Sequence, residues 1–430
     1  MARRAGAGDD RFPAFSTAQR RSPMPIVSSS PSPRGDPALP DDGPAAHLFA
    51  ATLDLAVQRG ASDIHVEPTD EHGWRIRLRV DGVLHEMPGP PSHLRDAFVT
   101  RIKVLARLDI AERRIPQDGR LRLEVARGKV EDYRVSALPT VHGEKLVLRR
   151  LEALPPDLSL ASLGFDTRQT PLVEAAIRAP HGLVLVTGPT GSGKTLSLYA
   201  FMQMLNDASR NICTVEDPAE IRLAGINQVN VREKTGLTFA TALRALLRQD
   251  PDVIMVGEIR DAETADVALK AAQTGHLVLA TLHTNDAPSA IGRLVDIGAA
   301  PYNLSAALRL VTAQRLVRRL CTRCAAPVAT SPAMLAAAGY ADEAVSSRTL
   351  YAACGCPACH GAGYRGRIGA HQVMAISPAI RELVNAKASA QAIAAQARAE
   401  GAASLREAAL AHVRAGTTSL AEATACTDAG

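Results

Sequence analysis

Leu183-Val184-Leu185-Val186-Thr187-Gly188-Pro189-Thr190-Gly191-Ser192-Gly193-Lys194-Thr195 runs from four branched apolar residues straight into the pattern G-x-x-x-x-G-K-[ST]. A buried strand before the loop and a helix after it, here Leu196 to Leu205, form the context in which this pattern cradles phosphate. Glycines at 188, 191 and 193 let the backbone curl so that N–H groups point inward, and the helix start adds its positive dipole end. The candidate cradle is therefore Gly188, Pro189, Thr190, Gly191, Ser192, Gly193, Lys194 and Thr195. Lys194 reaches the β- and γ-phosphates in such loops, and Thr195 holds Mg²⁺. The bland alternative is a glycine-rich turn that happens to contain Lys-Thr. Lysine is scarce, seven against forty-two arginines, so chance is a poor source of the match. The pattern points to ATP or another nucleoside triphosphate.

At 430 residues the chain has room for two or three domains and a sizeable core. No stretch approaches eighteen uncharged apolar residues, and the basic N-terminus lacks an apolar signal region. The reading is a cytoplasmic protein. A net charge of +5 suits a mildly basic surface facing anionic lipid or an acidic partner. With only 3% aromatic residues there is little to stack on bases, so direct nucleic-acid binding is not expected.

Residues 1–44 hold eight Pro, four Gly and six Ser without periodicity, and read as a disordered tail. An α+β module is expected over 45–153. In it Trp74, Ile76, Leu78 and Val80 alternate with Arg75, Arg77 and Arg79 as a strand with one apolar and one arginine face. Asp81-Gly82 marks a hairpin turn, 93–108 a helix, and 120–125 and 130–136 two further strands. A Pro-rich joint at 154–157 leads into an α/β core over 154–376, followed by C-terminal helices over 377–430. Short apolar runs at 183–187, 211–215, 253–256 and 276–282 alternate with helical segments, which implies a parallel sheet covered on both faces. Functional groups of such sheets collect beyond the carboxyl ends of the strands.

Glu216-Asp217-Pro218-Ala219-Glu220 follows the second run, and Gly257-Glu258-Ile259-Arg260-Asp261 follows the third, like a Walker B motif with Gly-Glu for Asp-Glu. A solvated turn is the plain reading of the first cluster. Hydrolysis needs one carboxylate near the metal and one to orient or deprotonate water. Glu216 and Glu258 are the two candidates. Sequence order favours Glu216 for water and Glu258 for Mg²⁺, and the reverse division stands beside it. The last run lies between His276 and His283, and His283, with Thr281, Thr284 and Asn285 around it, is either structural or a γ-phosphate sensor.

Four cysteines form the pairs Cys321-Thr-Arg-Cys324 and Cys356-Pro-Ala-Cys359, thirty-one residues apart. Two C-x-x-C knuckles mark a closed Cys₄ zinc site, with the segment between them looping out. A redox dithiol is the competitor, and Cys354 is an alternative to Cys356. Cys213, in an apolar run, reads as a small buried hydrophobe.

Ser62-Asp63-Ile64-His65, the Glu216-Asp217-Pro218 box, the Gly257 to Asp261 segment and Thr274-Gly275-His276 together resemble the type II secretion and type IV pilus assembly ATPases. The likeness runs from about residue 45 to the end. It implies a RecA-like core behind a PAS-like N-terminal module, a Cys₄ zinc-binding insertion within 315–376, and a homo-hexameric ring. It also implies ATP hydrolysis that drives assembly of pilin-like subunits at the inner membrane of a bacterium, through platform proteins. Arginines of the N-terminal module complete the nucleotide site in that family, and the matching positions are Arg120 and Arg134. Without the resemblance both read as solvated strand arginines. The sequences flanking the knuckles, 315–320 and 363–367, also match assembly ATPases, whereas retraction ATPases lack the knuckles. Two departures stand out: no extra N-terminal docking domain precedes the module, and Gln372 replaces the usual Glu, weakening a local salt bridge. A DNA-uptake or conjugation motor and a nucleotide-holding scaffold without turnover are the rival readings.

Overall fold

The computed structural model describes residues 43–427 apart from 71–72, 88–89, 126–128, 152–153 and 330–348. The expected disordered tail thus lies outside the described residues up to 42, and so does most of the segment between the cysteine pairs.

The N-terminal module is a six-stranded antiparallel sheet of β1 (Asp63–Pro68), β2 (Trp74–Val80), β3 (Val83–Glu86), β4 (Gln117–Val125), β5 (Lys129–Thr140) and β6 (Gly143–Leu151), in the order β3-β2-β1-β6-β5-β4. Alternation decides its faces. Ile64, Val66, Trp74, Ile76, Leu78, Leu146 and Leu148 point to one side. There they pack against the helices Pro44–Arg59 and Arg95–Leu105, with Phe98 edge-on to Phe49 at 5.6 Å and against Trp74 at 5.0 Å. Asp81 and Gly82 take positive φ (48° and 86°), the handedness that a two-residue hairpin needs, and join β2 to β3 at the expected place. Under the helices, Lys103 is 1% exposed and donates to Glu144 and to the Glu112 carbonyl, both at 2.7 Å. Breaking such a buried pair from one side costs about 3 kcal/mol or more.

The core is a seven-stranded sheet of β7 (Gly182–Thr187), β8 (Ile212–Glu216), β9 (Asn227–Asn230), β10 (Val253–Val256), β11 (Leu277–Leu282), β12 (Leu308–Leu320) and β15 (Tyr364–Ala375). A small ribbon, β13 (Ala326–Val328) and β14 (Leu350–Ala352), sits between β12 and β15 in the chain. The sheet order is β15-β12-β7-β11-β10-β8-β9, with every pair parallel except β12 with β15. β7, β8, β10 and β11 are buried along their whole length, as the continuous apolar runs predicted. The run at 277–282 is not the last strand of the sheet. β12 and β15 extend it beyond β7, and neither reads as an apolar run, because Arg309, Gln314, Arg315 and Arg318 interrupt β12 and Arg365, Arg367, His371 and Gln372 interrupt β15. The ends of the 315–376 segment are therefore strands of the core, and the cysteine knuckles hang from their tips.

The joint between module and core is pinned to β15. A short helix, Leu160–Leu163, ends at Gly164 (φ 100°), whose α-carbon lies against the Gly369 carbonyl so closely that a Cβ has no room. Fully buried His371 donates from Nε2 to the Leu163 carbonyl (3.0 Å) and stacks on Phe165 with ring centroids 3.7 Å apart. Gln169 donates to the His371 carbonyl at 2.8 Å. At the C-terminal end, the helix Leu405–Arg414 brings His412 to the Gly369 carbonyl (2.9 Å), and the helix Leu420–Thr427 brings Glu422 to Arg318 (2.6 Å).

Burial, opposed by the hydrogen bond to the Leu163 carbonyl and reinforced by nearby His412, lowers His371 to about 4. The neutral ring is favoured by the folded state, so this stability is complete above the unfolded value of 6.5 and drains away as pH falls from 6.5 to 4. The full loss is on the order of 3 kcal/mol. Melting temperature is expected to fall between pH 7.5 and pH 5 in the parent and to change less in His371→Phe, which keeps the stack on Phe165. Equal pH dependence in the two proteins would refute the assignment.

Candidate active site

The loop 188–195 sits where β7 ends, and the helix Lys194–Leu205 carries its last two residues. Gly193 caps that helix at φ 87°, a conformation open to glycine. Lys194 is folded back on the loop, donating to the Gly188 and Pro189 carbonyls at 2.9 and 3.1 Å. Burial, with Arg315 adding to it and Glu258 opposing, lowers its ammonium below the ordinary lysine value. Its Nζ lies 3.5 Å from His283 Nδ1, and His283 Nε2 lies 3.2 Å from Glu258 Oε1. Lys194, His283 and Glu258 thus form one chain across the ends of β7, β11 and β10.

The two carboxylates differ in surroundings. Glu216, the last residue of β8, is 3% exposed. Its Oε2 accepts from the Tyr199 hydroxyl (2.5 Å), and its Oε1 accepts from Thr214 (2.6 Å) and Gln228 (3.0 Å). Glu258 lies two residues past β10 with its side chain 20% exposed, and its second oxygen accepts from Arg260 at 2.8 Å. Both line one cavity of about 100 Å³ together with Thr195, Asp217 and Arg260. Of the residues that the sequence pointed to, Lys194, Thr195, Glu216, Glu258 and His283 are therefore assembled on one edge of the sheet. The partners that orient them (Tyr199, Thr214, Gln228 and Arg260) escaped notice there. Arg260 stood two residues beyond Glu258 in a motif already quoted, whereas Tyr199 and Gln228 reach Glu216 only through the packing of neighbouring elements.

Arg120 and Arg134 are exposed and face each other across β4 and β5. Arg149 comes next in register on β6, followed by Asp63 on β1 and Arg79 on β2. Three adjacent arginines against one carboxylate make this face of the module cationic. Among the described residues, no hydrogen bond or ion pair joins Arg120 or Arg134 to the loop of the same chain.

The four sulfurs of Cys321, Cys324, Cys356 and Cys359 lie within 4.8 Å of one another. The pairs 321–356, 324–359 and 356–359 are separated by 3.9, 3.7 and 3.7 Å. A tetrahedron with zinc–sulfur bonds of about 2.3 Å has edges of about 3.8 Å, so the cage has the size that metal requires. Burial works against ionisation of Cys359, but N–H groups of Cys356 and Gly363, each 3.2 Å from its sulfur, hold its thiol below the usual range. Cys354 is exposed and lies outside the cage, and Cys213 is buried in β8. Gln372 accepts from the Ala287 N–H (2.9 Å) at the start of the helix Ala287–Ile297, a bond that an amide oxygen makes as well as a carboxylate. No helix among the described residues is long and apolar enough to cross a membrane.

The family described as type II/IV secretion system protein matches residues 38–425. The type IV pilus assembly ATPase PilB of Myxococcus xanthus is 48% identical over 89% of this chain, which spans 68% of that protein. The type II secretion system ATPase E of Vibrio cholerae is 47% identical over 89% of this chain and 75% of its own length. Among solved structures, the ADP-bound pilus retraction motor PilT matches with a TM-score of 0.59 at 26% identity, covering 88% of this chain and 96% of PilT. The Legionella pneumophila ATPase DotB shares the fold with a TM-score of 0.65 at 21% identity, over 91% of this chain and 98% of DotB. The mixed α/β ATPase fold, the phosphate loop and near-half identity to these relatives agree, and the chain belongs to the type II/IV secretion system family of ATPases.

Proposed function

We propose that this chain hydrolyses ATP as one subunit of a homo-hexameric ring and that turnover powers assembly of a pilus or pseudopilus at the inner membrane of a bacterium, through platform proteins of that membrane. The relatives named for pilus assembly and type II secretion support the machine. The ring, the PAS-like character of the N-terminal module and the cytoplasmic face of the membrane as its place are part of the proposal.

The observation that carries the mechanism is the contrast between the two carboxylates. Glu216 is 3% exposed with three donors already on its two oxygens, whereas Glu258 is partly open and held only by Arg260 and His283. Glu258 is therefore the water-facing base in this reading, the reverse of the division that sequence order favours. Thr195, with Glu216 fixed behind it, would hold Mg²⁺ when ATP is bound, and the metal would supply charge neutralisation at the triphosphate. Lys194 leaves the Gly188 and Pro189 carbonyls for the phosphate oxygens. Water attacks the γ-phosphorus while Glu258 accepts its proton, and the bond to the β-phosphate oxygen breaks to release ADP and phosphate. His283, between Lys194 and Glu258, reports the γ-phosphate to both. Arg120 and Arg134 bring guanidinium groups to the spreading phosphoryl charge. Cys321, Cys324, Cys356 and Cys359 hold a structural zinc that closes the tips of β12 and β15.

Glu258→Gln is expected to lower kcat by about a hundredfold or more while ATP still binds, and Glu216→Gln, which keeps an acceptor for its neighbours, is expected to cost less. Parent-like turnover in Glu258→Gln would sink the assignment. Metal analysis of protein purified under reducing conditions is expected to find about one zinc per chain, with loss of the melting transition on chelation. Less than about half an equivalent would count against the zinc.

A further inference from the structure

The phosphate loop rests on a residue outside every motif of the site. β12 runs parallel to β7 with Ala313 opposite Thr187, which sets Gln314 beside Gly188. The approach is close: a Cβ on Gly188 would lie 2.5 Å from the Gln314 carbonyl oxygen, and one on Gly193 would lie 2.8 Å from Gln314 Nε2. The Gln314 side chain is 2% exposed, and both ends of its amide are engaged. Nε2 donates to the Ser192 carbonyl at 2.7 Å, and Oε1 accepts from the Ser197 hydroxyl, in the first turn of the helix behind the loop, at 2.8 Å.

A trans peptide points its C=O and N–H in opposite directions. Holding the Ser192 carbonyl down onto Gln314 therefore turns the Gly193 N–H the other way, away from Gln314. The Ser197 bond ties the same amide to the helix, so the loop and the helix dipole keep a common aim. Gly193 has no side chain of its own with which to hold that orientation. We propose that Gln314 is a positioning residue of the nucleotide site, acting through the Ser192–Gly193 peptide to aim the Gly193 N–H at the triphosphate. This rests on the reading that the 188–195 loop holds ATP.

Gln314→Met keeps the length of the side chain and removes both arms. Gln314→Glu keeps an acceptor for Ser197 but sets oxygen against the Ser192 carbonyl. Ser197→Ala removes only the helix arm. With a fluorescent ATP analogue and steady-state turnover on the full chain, Gln314→Met and Gln314→Glu are each expected to raise Kd and KM for ATP about five- to tenfold, the scale of one hydrogen bond. kcat is expected to move less than KM, and Ser197→Ala to shift Kd less than about twofold. A Kd within about twofold of the parent in Gln314→Glu overturns the proposal, whatever its melting temperature, because the donor to Ser192 would then be idle. If Gln314→Met does not fold, Gln314→Glu and Ser197→Ala decide on the same readout. Failure of the parent itself to bind the analogue would instead refute the phosphate-loop reading.

Discussion

A loop built on Gly188, Gly191 and Gly193 has too little side-chain mass to hold a shape, so its form depends on what lies against it. That support is the strand pair β7 and β12. β7 delivers the loop to the carboxyl edge of the sheet, and β12 backs it closely enough that neither Gly188 nor Gly193 tolerates a Cβ. The rest of the core follows from keeping that edge in place. β7, β8, β10 and β11 are buried on both faces, and such strands cannot shift register without exposing their apolar side chains to solvent. The positions of Lys194, Glu216, Glu258 and His283 are consequences of where those strands stop.

Around that edge the protein uses burial to give similar groups different duties. Glu216 and Glu258 carry the same carboxylate and line the same cavity. Glu216 closes a strand and meets Tyr199, Thr214 and Gln228, whose three hydrogen bonds hold its carboxylate in one orientation. Glu258 stands one turn of loop further out, where Arg260 and His283 hold it without enclosing it. Desolvation and donor count, rather than residue type, separate the anchored group from the available one.

The N-terminal module shows the same logic on a sheet face. The arginine stripe of β2 is not simply solvated. Arg75 and Arg77 converge on Glu67 of β1, and Lys145 of β6 joins them at 2.9 Å. Burial penalises the Glu67 charge, yet bonds from Arg77 and Lys145 hold its carboxyl down to about 2. With the acids of β1 consumed in this way, Arg120 and Arg134 at the far side of the sheet keep their charge exposed. The module reaches the core through Asp81 at its hairpin tip, which accepts from the Gly366 N–H at 2.8 Å at the start of β15.

Much of this was legible in the chain before folding. The phosphate loop, the four central strands, the hairpin at Asp81-Gly82, the carboxylate clusters and the paired cysteines all depend on local order: apolar runs, turn residues and fixed spacings. β6 was missed although Leu146 and Leu148 alternate inward, and β12 and β15 were missed because charged and amide residues interrupt them. The sequence by itself determined which groups are present at the strand ends and in what order, because strand and loop signals are short-range. Only the tertiary structure decided which carboxylate is free, which amide aims the loop and that Cys356, not Cys354, joins the other three sulfurs. Those outcomes depend on contacts between residues such as Ser192 and Gln314, far apart in the chain, and on the burial that only packing creates.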